Sequence, residues 1–447
     1  MLRIKRTAAI LTAFLIIFCL TAQAEEAGKL IAAPEEAASF IETLLTDDPS
    51  ALDGKYQLSA QMNLALKLSG GFEGLAKQLT SLGEIQEIGT PFETEFAGQT
   101  AFRIPCRFSA MPIDLVMLLQ DGVIAGLVTA EYTDPDGEAA EEGDTACENI
   151  ELALPVEGLG ELPGTLSLPE GEGPFPVVVL IHGSGPNDRD ETVGMLKPFR
   201  DLAEGLAEKG IAVYRFDKRS KVYGRELADD TQATLMDESI EDAVAAVQLM
   251  AGQDAIDASR IFVLGHSLGG CAIPAIDREL KTAETKAAGY ILMAASPRKL
   301  WELMKEQMEY LYSLRPEVTE EELAEKDATI AQIEKLNDLD ALPDTEAILG
   351  AYVPYWKWLR DYDILETARQ ITAPCLLLQG EEDYQATMED YALWKEGLKG
   401  KENWTFKSYP GLVHAFVKGE KTEGADAYTR KAKVDDQVIA DIAAFVG

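Results

Sequence analysis

Histidine is nearly missing from this chain. Only His182, His266 and His414 occur in 447 residues. A metal site built on several imidazoles would consume almost all of them, which argues against metal-dependent hydrolysis. Cysteine is scarce too, with five in the chain. Cys19 lies in an N-terminal apolar run. The other four, Cys106, Cys147, Cys271 and Cys375, are widely spaced, with no Cys-x-x-Cys, so neither a zinc site nor a disulfide framework is indicated. They read as structural residues. Positive charge is in deficit: Lys and Arg total 40 against 77 Asp and Glu, a net charge of −37. Such a surface repels phosphate backbones and anionic headgroups, which disfavours nucleic-acid and peripheral membrane binding. Apolar residues are not lacking. At 47% they supply a core and argue against disorder.

Arg3, Lys5 and Arg6 precede an apolar run from Thr7 to Leu20, and Ala22-Gln23-Ala24 offers a small-x-small cleavage site. These three parts form a secretory signal peptide, residues 1–24, with cleavage expected after Ala24. The run is shorter than the roughly 20 residues of a spanning helix, so membrane contact is expected only through this segment if it stays uncleaved. The mature protein is expected to be secreted or extracytoplasmic. Residues 25–131 read as a small α+β domain. Phe40, Ile41, Leu44 and Leu45 are spaced to share a helical face, and 84–130 read as strands around turns at Ala97-Gly98 and Asp121-Gly122. No histidine falls there, and a binding or positioning module is the expectation. Residues 131–151 hold nine acidic and no basic side chains. They mark an acidic linker, residues 132–149.

Residues 150–447 alternate strands and helices. Val177–Ile181, Ile211–Phe216, Ile261–Leu264, Tyr290–Met293 and Cys375–Leu378 are continuous apolar runs, as strands covered on both faces should be. Between them, Leu235, Ile240, Val244, Val247 and Met250 lie on one helical side. The alternation predicts an α/β fold with a mostly parallel, doubly wound sheet, which binds ligands at the carboxyl ends of its strands.

Chemistry-bearing residues fall at those ends. Gly265-His266-Ser267-Leu268-Gly269 follows a buried strand and opens a helix. A serine that attacks a carbonyl must stand on a sharp turn, and the flanking glycines allow the close backbone packing this requires. Ser267 is the expected nucleophile. It needs a base. His266 adjoins it on the elbow and points away, and His182 opens an earlier loop. In this fold class the order is Ser, acid, His, and only His414 follows Ser267. The acid is expected after the strand ending at Gly380, where Glu381, Glu382 and Asp383 stand in a row. Asp383 is preferred, Glu382 is the alternative, and Asp361 and Asp363 are outlying candidates. His182-Gly183-Ser184-Gly185-Pro186 follows the strand 177–181 and offers backbone N–H groups to an oxyanion, with Ser184 the expected donor, Gly185 the alternative, and the Leu268 N–H as the second donor. His182 is expected to hold the loop.

Together the stretches His182–Asp190, Lys197–Ala203, Tyr214–Arg219 with Lys221–Gly224, Gly265–Gly270, Gln379–Gln385 and His414–Phe416 resemble the α/β-hydrolase superfamily. More narrowly they are similar to bacterial exported hydrolases in which a small N-terminal domain of the DUF3887 type precedes an EstD-like serine esterase. The resemblance implies carboxylic-ester hydrolysis by Ser267, Asp383 and His414, with no cofactor and no metal, on a small-molecule ester. Two departures stand out. Glu382 occupies a place where relatives often carry Arg, and Leu412-Val413 precede His414 where relatives often have Asn.

The stretch Pro297–Ile371 is long for a strand-to-strand connection. Leu300, Leu303, Met304, Met308 and Leu311 follow helical spacing, and Tyr352, Tyr355, Trp356, Trp358 and Tyr362 cluster. A helical cap, about 297–371, is expected over the serine. The individual aromatics are expected to form the cap's own core more than to touch substrate. A peptidase, acyltransferase or thioesterase would use the same triad, and a binding protein on a hydrolase fold would usually have lost one of its members.

Overall fold

The computed structural model describes residues 28–46, 48–59, 62–63, 66, 71–80, 83–96, 99–109, 112–120, 122–130, 132, 147–315, 318 and 320–447. The expected signal segment, residues 1–24, and residues 133–146 of the acidic connection lie outside the described residues. The chain divides into two units, Met1–Asp144 and Thr145–Gly447.

In the first unit, helix α1 (Pro34–Thr46) starts on a proline, whose missing N–H is harmless in a first turn, and Glu35 and Glu36 sit at the positive end of its dipole. Phe40, Ile41 and Leu44 are fully buried. Leu45, expected on the same face, is only half-buried. A second helix, α2, spans Gly71–Thr80. Strands β1 (Ile85–Ile88), β2 (Phe92–Phe96), β3 (Gln99–Phe108), β4 (Pro112–Gln120) and β5 (Val123–Ala130) form an antiparallel sheet in which β1 and β2 both pair with β3, followed by β4 and β5. Alternate residues turn to one face: Phe102, Ile104, Cys106 and Phe108 from β3, and Ile113, Leu115, Met117 and Leu119 from β4, share a core with Phe40 and Leu44.

The second unit begins with β6 (Cys147–Glu151), the hairpin β7 (Leu154–Val156) and β8 (Gly160–Leu162), and β9 (Gly164–Pro169). Strand β6 takes in Cys147, Glu148 and Asn149, which composition alone assigns to the linker. Pairing with Pro169, Leu168 and Ser167 on β9 decides them. The strands β10 (Phe175–Ile181), β11 (Ala212–Phe216), β12 (Ile256–His266), β13 (Gly289–Met293), β16 (Cys375–Gly380) and β17 (Trp404–Tyr409) complete an eight-stranded sheet; β14 (Ala347–Ile348) and β15 (Ala351–Tyr352) pair separately. The sheet order is β17-β16-β13-β12-β10-β11-β9-β6. Neighbours from β17 to β11 are parallel, and β9 runs antiparallel to both its neighbours. This is the α/β-hydrolase fold.

Helices in this unit are α3 (Pro198–Ala207), α4 (Glu241–Ala251), α5 (Leu268–Thr282), α6 (Leu300–Ser313), α7 (Glu320–Lys335), α8 (Val353–Asp361), α9 (Met388–Gly397) and α10 (Asp436–Val446), with shorter turns between. Successive residues of one strand serve opposite cores. Val177 and Val179 pack with Ala243, Val247 and Ile276 on one face, while Val178 and Leu180 pack with Leu202, Leu206 and Ile442 on the other. The continuous apolar runs in the sequence have this double covering as their cause. Helix α4 starts later than the spacing from Leu235 predicts, because Met236–Ile240 form a π-helical turn.

Candidate active site

Ser267 ends the turn between β12 and α5. Its φ is 53° and its ψ −117°, a conformation that side-chain-bearing residues avoid. Only glycines fit around it: a Cβ at Gly265 would lie 2.3 Å from the Gly269 carbonyl carbon, and one at Gly269 would lie 2.3 Å from the Ile181 oxygen. The Ser267 N–H donates to the Met293 carbonyl at 2.8 Å, which ties the turn to β13. Among the described residues no partner takes up Ser267 Oγ. Such contacts commonly tighten only with substrate bound.

Asp383 and His414 come together from two loops, after β16 and β17. His414 Nδ1 lies 2.7 Å from Asp383 Oδ2. Asp383 is 3% exposed, and its carboxylate also accepts the Gln385 and Ala386 N–H groups on Oδ1 and the Gln379 amide on Oδ2. Gln379 itself is fully buried. The other acids are occupied elsewhere. Glu382 accepts the Lys421 N–H, Asp361 pairs with Arg360, and Asp363 caps the short helix Ile364–Ala368.

The loop after β10 runs beside the serine. A Cβ at Gly183 would lie 3.2 Å from Ser267 Cβ. The Asn187 amide gathers the carbonyls of Gly183, Ser184 and Gly185. The N–H groups of Ser184 and Leu268 have no acceptor among the described residues. His182 is buried against Phe199 and Phe216, and burial pushes its pKa down to about 4. It is held in the loop as a neutral ring.

Two stretches that carried the family resemblance are halves of one lattice. Asp190 pairs with Arg215 and Arg189 with Asp217, while Arg219 reaches Asp242. Lys218, 2% exposed, donates to the Gly183 carbonyl at 2.7 Å and pairs with Glu238 at 2.5 Å.

Sequence reasoning missed Glu191. It is 5% exposed, with a φ of 52°. One oxygen accepts the Gly183 N–H at 2.6 Å, and the other lies 2.9 Å from His266 Nδ1. His266 Nε2 in turn reaches the His414 carbonyl at 3.1 Å. Burial opposes charge on both groups, yet each supports the other: the carboxylate raises the pKa of His266, and the imidazolium lowers that of Glu191. The pair joins the loop after β10 to the loop that carries His414.

The insertion between β13 and β16 meets this region at three tyrosines. Tyr310 on α6 stacks on Tyr384, next to Asp383. Tyr355 on α8 donates to Glu238 at 2.7 Å. Tyr362 donates to the Cys271 carbonyl at 3.0 Å and accepts the Ala275 N–H at 3.1 Å. Trp356, by contrast, is buried within the insertion and donates to the Ile348 carbonyl. A cavity of about 310 Å³ lies between α5 and the insertion, lined by Leu268, Cys271, Leu300, Leu303 and Leu359 beside Arg298 and Lys299. Cys106, Cys271 and Cys375 are free thiols. Among the described residues no group of three His, Cys, Asp or Glu could hold a metal ion.

Residues 173–422 match the family described as Serine aminopeptidase, S33 (Hydrolase_4). The chain belongs to this family. It is 36% identical over 412 residues to Esterase EstD of Thermotoga maritima, covering 92% of this chain and 94% of that one. Among solved structures it resembles the Pyrococcus furiosus esterase PF2001, with a TM-score of 0.43 and 17% identity over 68% of this chain and 91% of that one. It also resembles Est1E from Butyrivibrio proteoclasticus, with a TM-score of 0.42 and 16% identity over 66% of this chain and 99% of that one.

Proposed function

We infer that this member of the S33 family is a carboxylesterase that works through an acyl-enzyme on Ser267. Its curated relative over nine-tenths of the chain is an esterase. The observation that carries the residue assignment is the 2.7 Å contact between His414 and Asp383 at the strand ends where Ser267 stands on its elbow.

In this reading His414 takes the Ser267 proton as Oγ attacks the ester carbonyl. Asp383 holds His414 in the tautomer that leaves Nε2 free to accept, and it stabilises the imidazolium that forms. The N–H groups of Ser184 and Leu268 receive the oxyanion. His414 then protonates the departing alcohol. Water, deprotonated by His414, releases the acid. The cavity beside Leu268, walled by leucines and by Arg298, Lys299, Arg360 and Asp363, takes the acyl or alcohol portion of a small ester. The Ser267→Ala variant is expected to lose several orders of magnitude in kcat on p-nitrophenyl acetate. Substantial turnover by that variant would overturn the assignment.

The family description names aminopeptidases, so an aminoacyl-p-nitroanilide belongs beside the ester in the same assay. The esterase reading requires the ester to be much the better substrate. The N-terminal segment belongs to the same proposal: it is a signal peptide removed after Ala24, and the enzyme acts outside the cytoplasm. N-terminal sequencing of protein recovered from the medium or periplasm tests this.

A further inference from the structure

The peptide joining Gly183 to Ser184 is planar and trans, so its carbonyl oxygen and its N–H point in opposite directions. Whatever grips the oxygen also sets the direction of the N–H. The oxygen is gripped twice, by Lys218 Nζ at 2.7 Å and by Asn187 Nδ2 at 3.1 Å. We propose that Lys218 is a positioning residue for the oxyanion hole: its ammonium group, seated on the Gly183 carbonyl, aims and polarises the Ser184 N–H at the other end of the same peptide. The inference rests on the reading of Ser267 as nucleophile and Ser184 as oxyanion donor.

A buried ammonium is costly unless paired. This one is matched by Glu238, whose second oxygen accepts the Tyr355 hydroxyl. A neutral residue of similar length would fill the space without that desolvation cost, so packing alone does not explain a lysine here. A cation on a carbonyl oxygen draws electron density through the peptide and makes its N–H a stronger donor. That gain matters most when a full negative charge develops opposite the N–H, which happens in the transition state and not in the bound ester. The preceding N–H, that of Gly183, is fixed separately by Glu191. The two contacts leave the Ser184 N–H directed by Lys218 and its neighbour Asn187. Tyr355 extends the chain of contacts to α8, so the insertion bears on the same ammonium.

The test compares an ester with its thionoester, whose sulfur is a poor hydrogen-bond acceptor. Labelling of wild-type Ser267 by a fluorophosphonate first establishes the nucleophile; no labelling there would sink the underlying reading rather than this inference. The double variant Lys218→Met with Glu238→Gln removes the ammonium without stranding a carboxylate. Removal of a whole oxyanion donor costs about 100- to 1000-fold. Loss of its positioning cation is expected to lower kcat on the ester by about 10- to 100-fold, with KM changed less than about threefold and a smaller loss on the thionoester. The ester-to-thionoester ratio therefore falls. A folded double variant with unchanged kcat, or with equal losses on both substrates, would show that Lys218 serves only the fold. If the double variant does not fold, Lys218→Gln decides by the same ratio. Its neutral amide can still donate to Gly183, so an intermediate ratio is expected and a wild-type ratio overturns the proposal.

Discussion

Asp383 accepts four hydrogen bonds, two from backbone N–H groups, one from Gln379 and one from His414. A carboxylate held on all sides is suited to orienting a histidine, the role proposed for it here. Asp383→Asn would keep the shape and reverse one donor, forcing His414 into the wrong tautomer; kcat should fall about 10⁴-fold, as steady-state kinetics on p-nitrophenyl acetate would register. Glu382→Gln should leave kcat near that of wild type in the same assay, because among the described residues that carboxylate accepts from the Lys421 N–H alone. The Glu191–His266 pair makes a different prediction, about stability. His266 has a raised pKa, so its contribution is complete below about 6.5 and is lost as pH rises through the folded value; Glu191 has a lowered pKa, so its contribution is complete above about 4.5 and is lost on acidification. His266→Asn should therefore cost most in melting temperature near pH 5–6 and less at pH 9, as thermal melts across that range would reveal. Ser267 and Asp383 stand out in the sequence because each follows an apolar strand run, and His414 because it is the only histidine after Ser267. Glu191 does not, since an ion pair formed across the fold leaves no local period, and its neighbours Asp188, Arg189 and Asp190 make it look like one more charge in a surface loop.

Helix α5 carries Pro274, which has no N–H to give its own turn. In the following turn the Tyr362 hydroxyl stands between the Cys271 carbonyl and the Ala275 N–H and satisfies both. The element behind the serine is thereby completed by a side chain from the insertion. Tyr362→Phe should remove two part-buried hydrogen bonds to the backbone of α5 and lower stability by about 0.5–1.5 kcal/mol, measurable as a shift in denaturant midpoint at constant m. At this scale the strands were the most legible features, because burial on both faces writes an unbroken apolar run. The helices of the insertion were legible as helices. What their aromatics touch was not: Trp356 turns inward, whereas Tyr355 and Tyr362 leave the insertion for Glu238 and α5. Strand β6 was also hidden. Four of its five residues are exposed, and only pairing with β9 makes it a strand. The π-helical turn before α4 is a one-residue change of period that spacing does not register.

The whole molecule carries a net charge of −37. Many surface cations are already paired with carboxylates, and the surplus acids repel one another across the solvent. Salt at about 0.3 M shortens the screening length from roughly 30 Å at 0.01 M to under 10 Å. The melting temperature should rise by a few degrees over that range, since the relief of net repulsion outweighs the weakening of exposed ion pairs, each of which contributes about 0–1 kcal/mol; a fall in calorimetric scans would count against this. The order of strands in the two sheets also has a consequence in time. In the first unit β3, β4 and β5 are successive neighbours, so each can close on the last across a short turn. In the second unit β10 can close on β11 but must wait for β12 on its other edge, and β13 must wait for β16 until the insertion has been made. Local pairings form fast and distant ones slowly. During synthesis the front of the chain can settle early while the rear stays open, and the loops that carry Asp383 and His414 reach the Ser267 elbow only when β16 and β17 arrive. On the proposed triad, an unfinished chain is inert toward the esters around it.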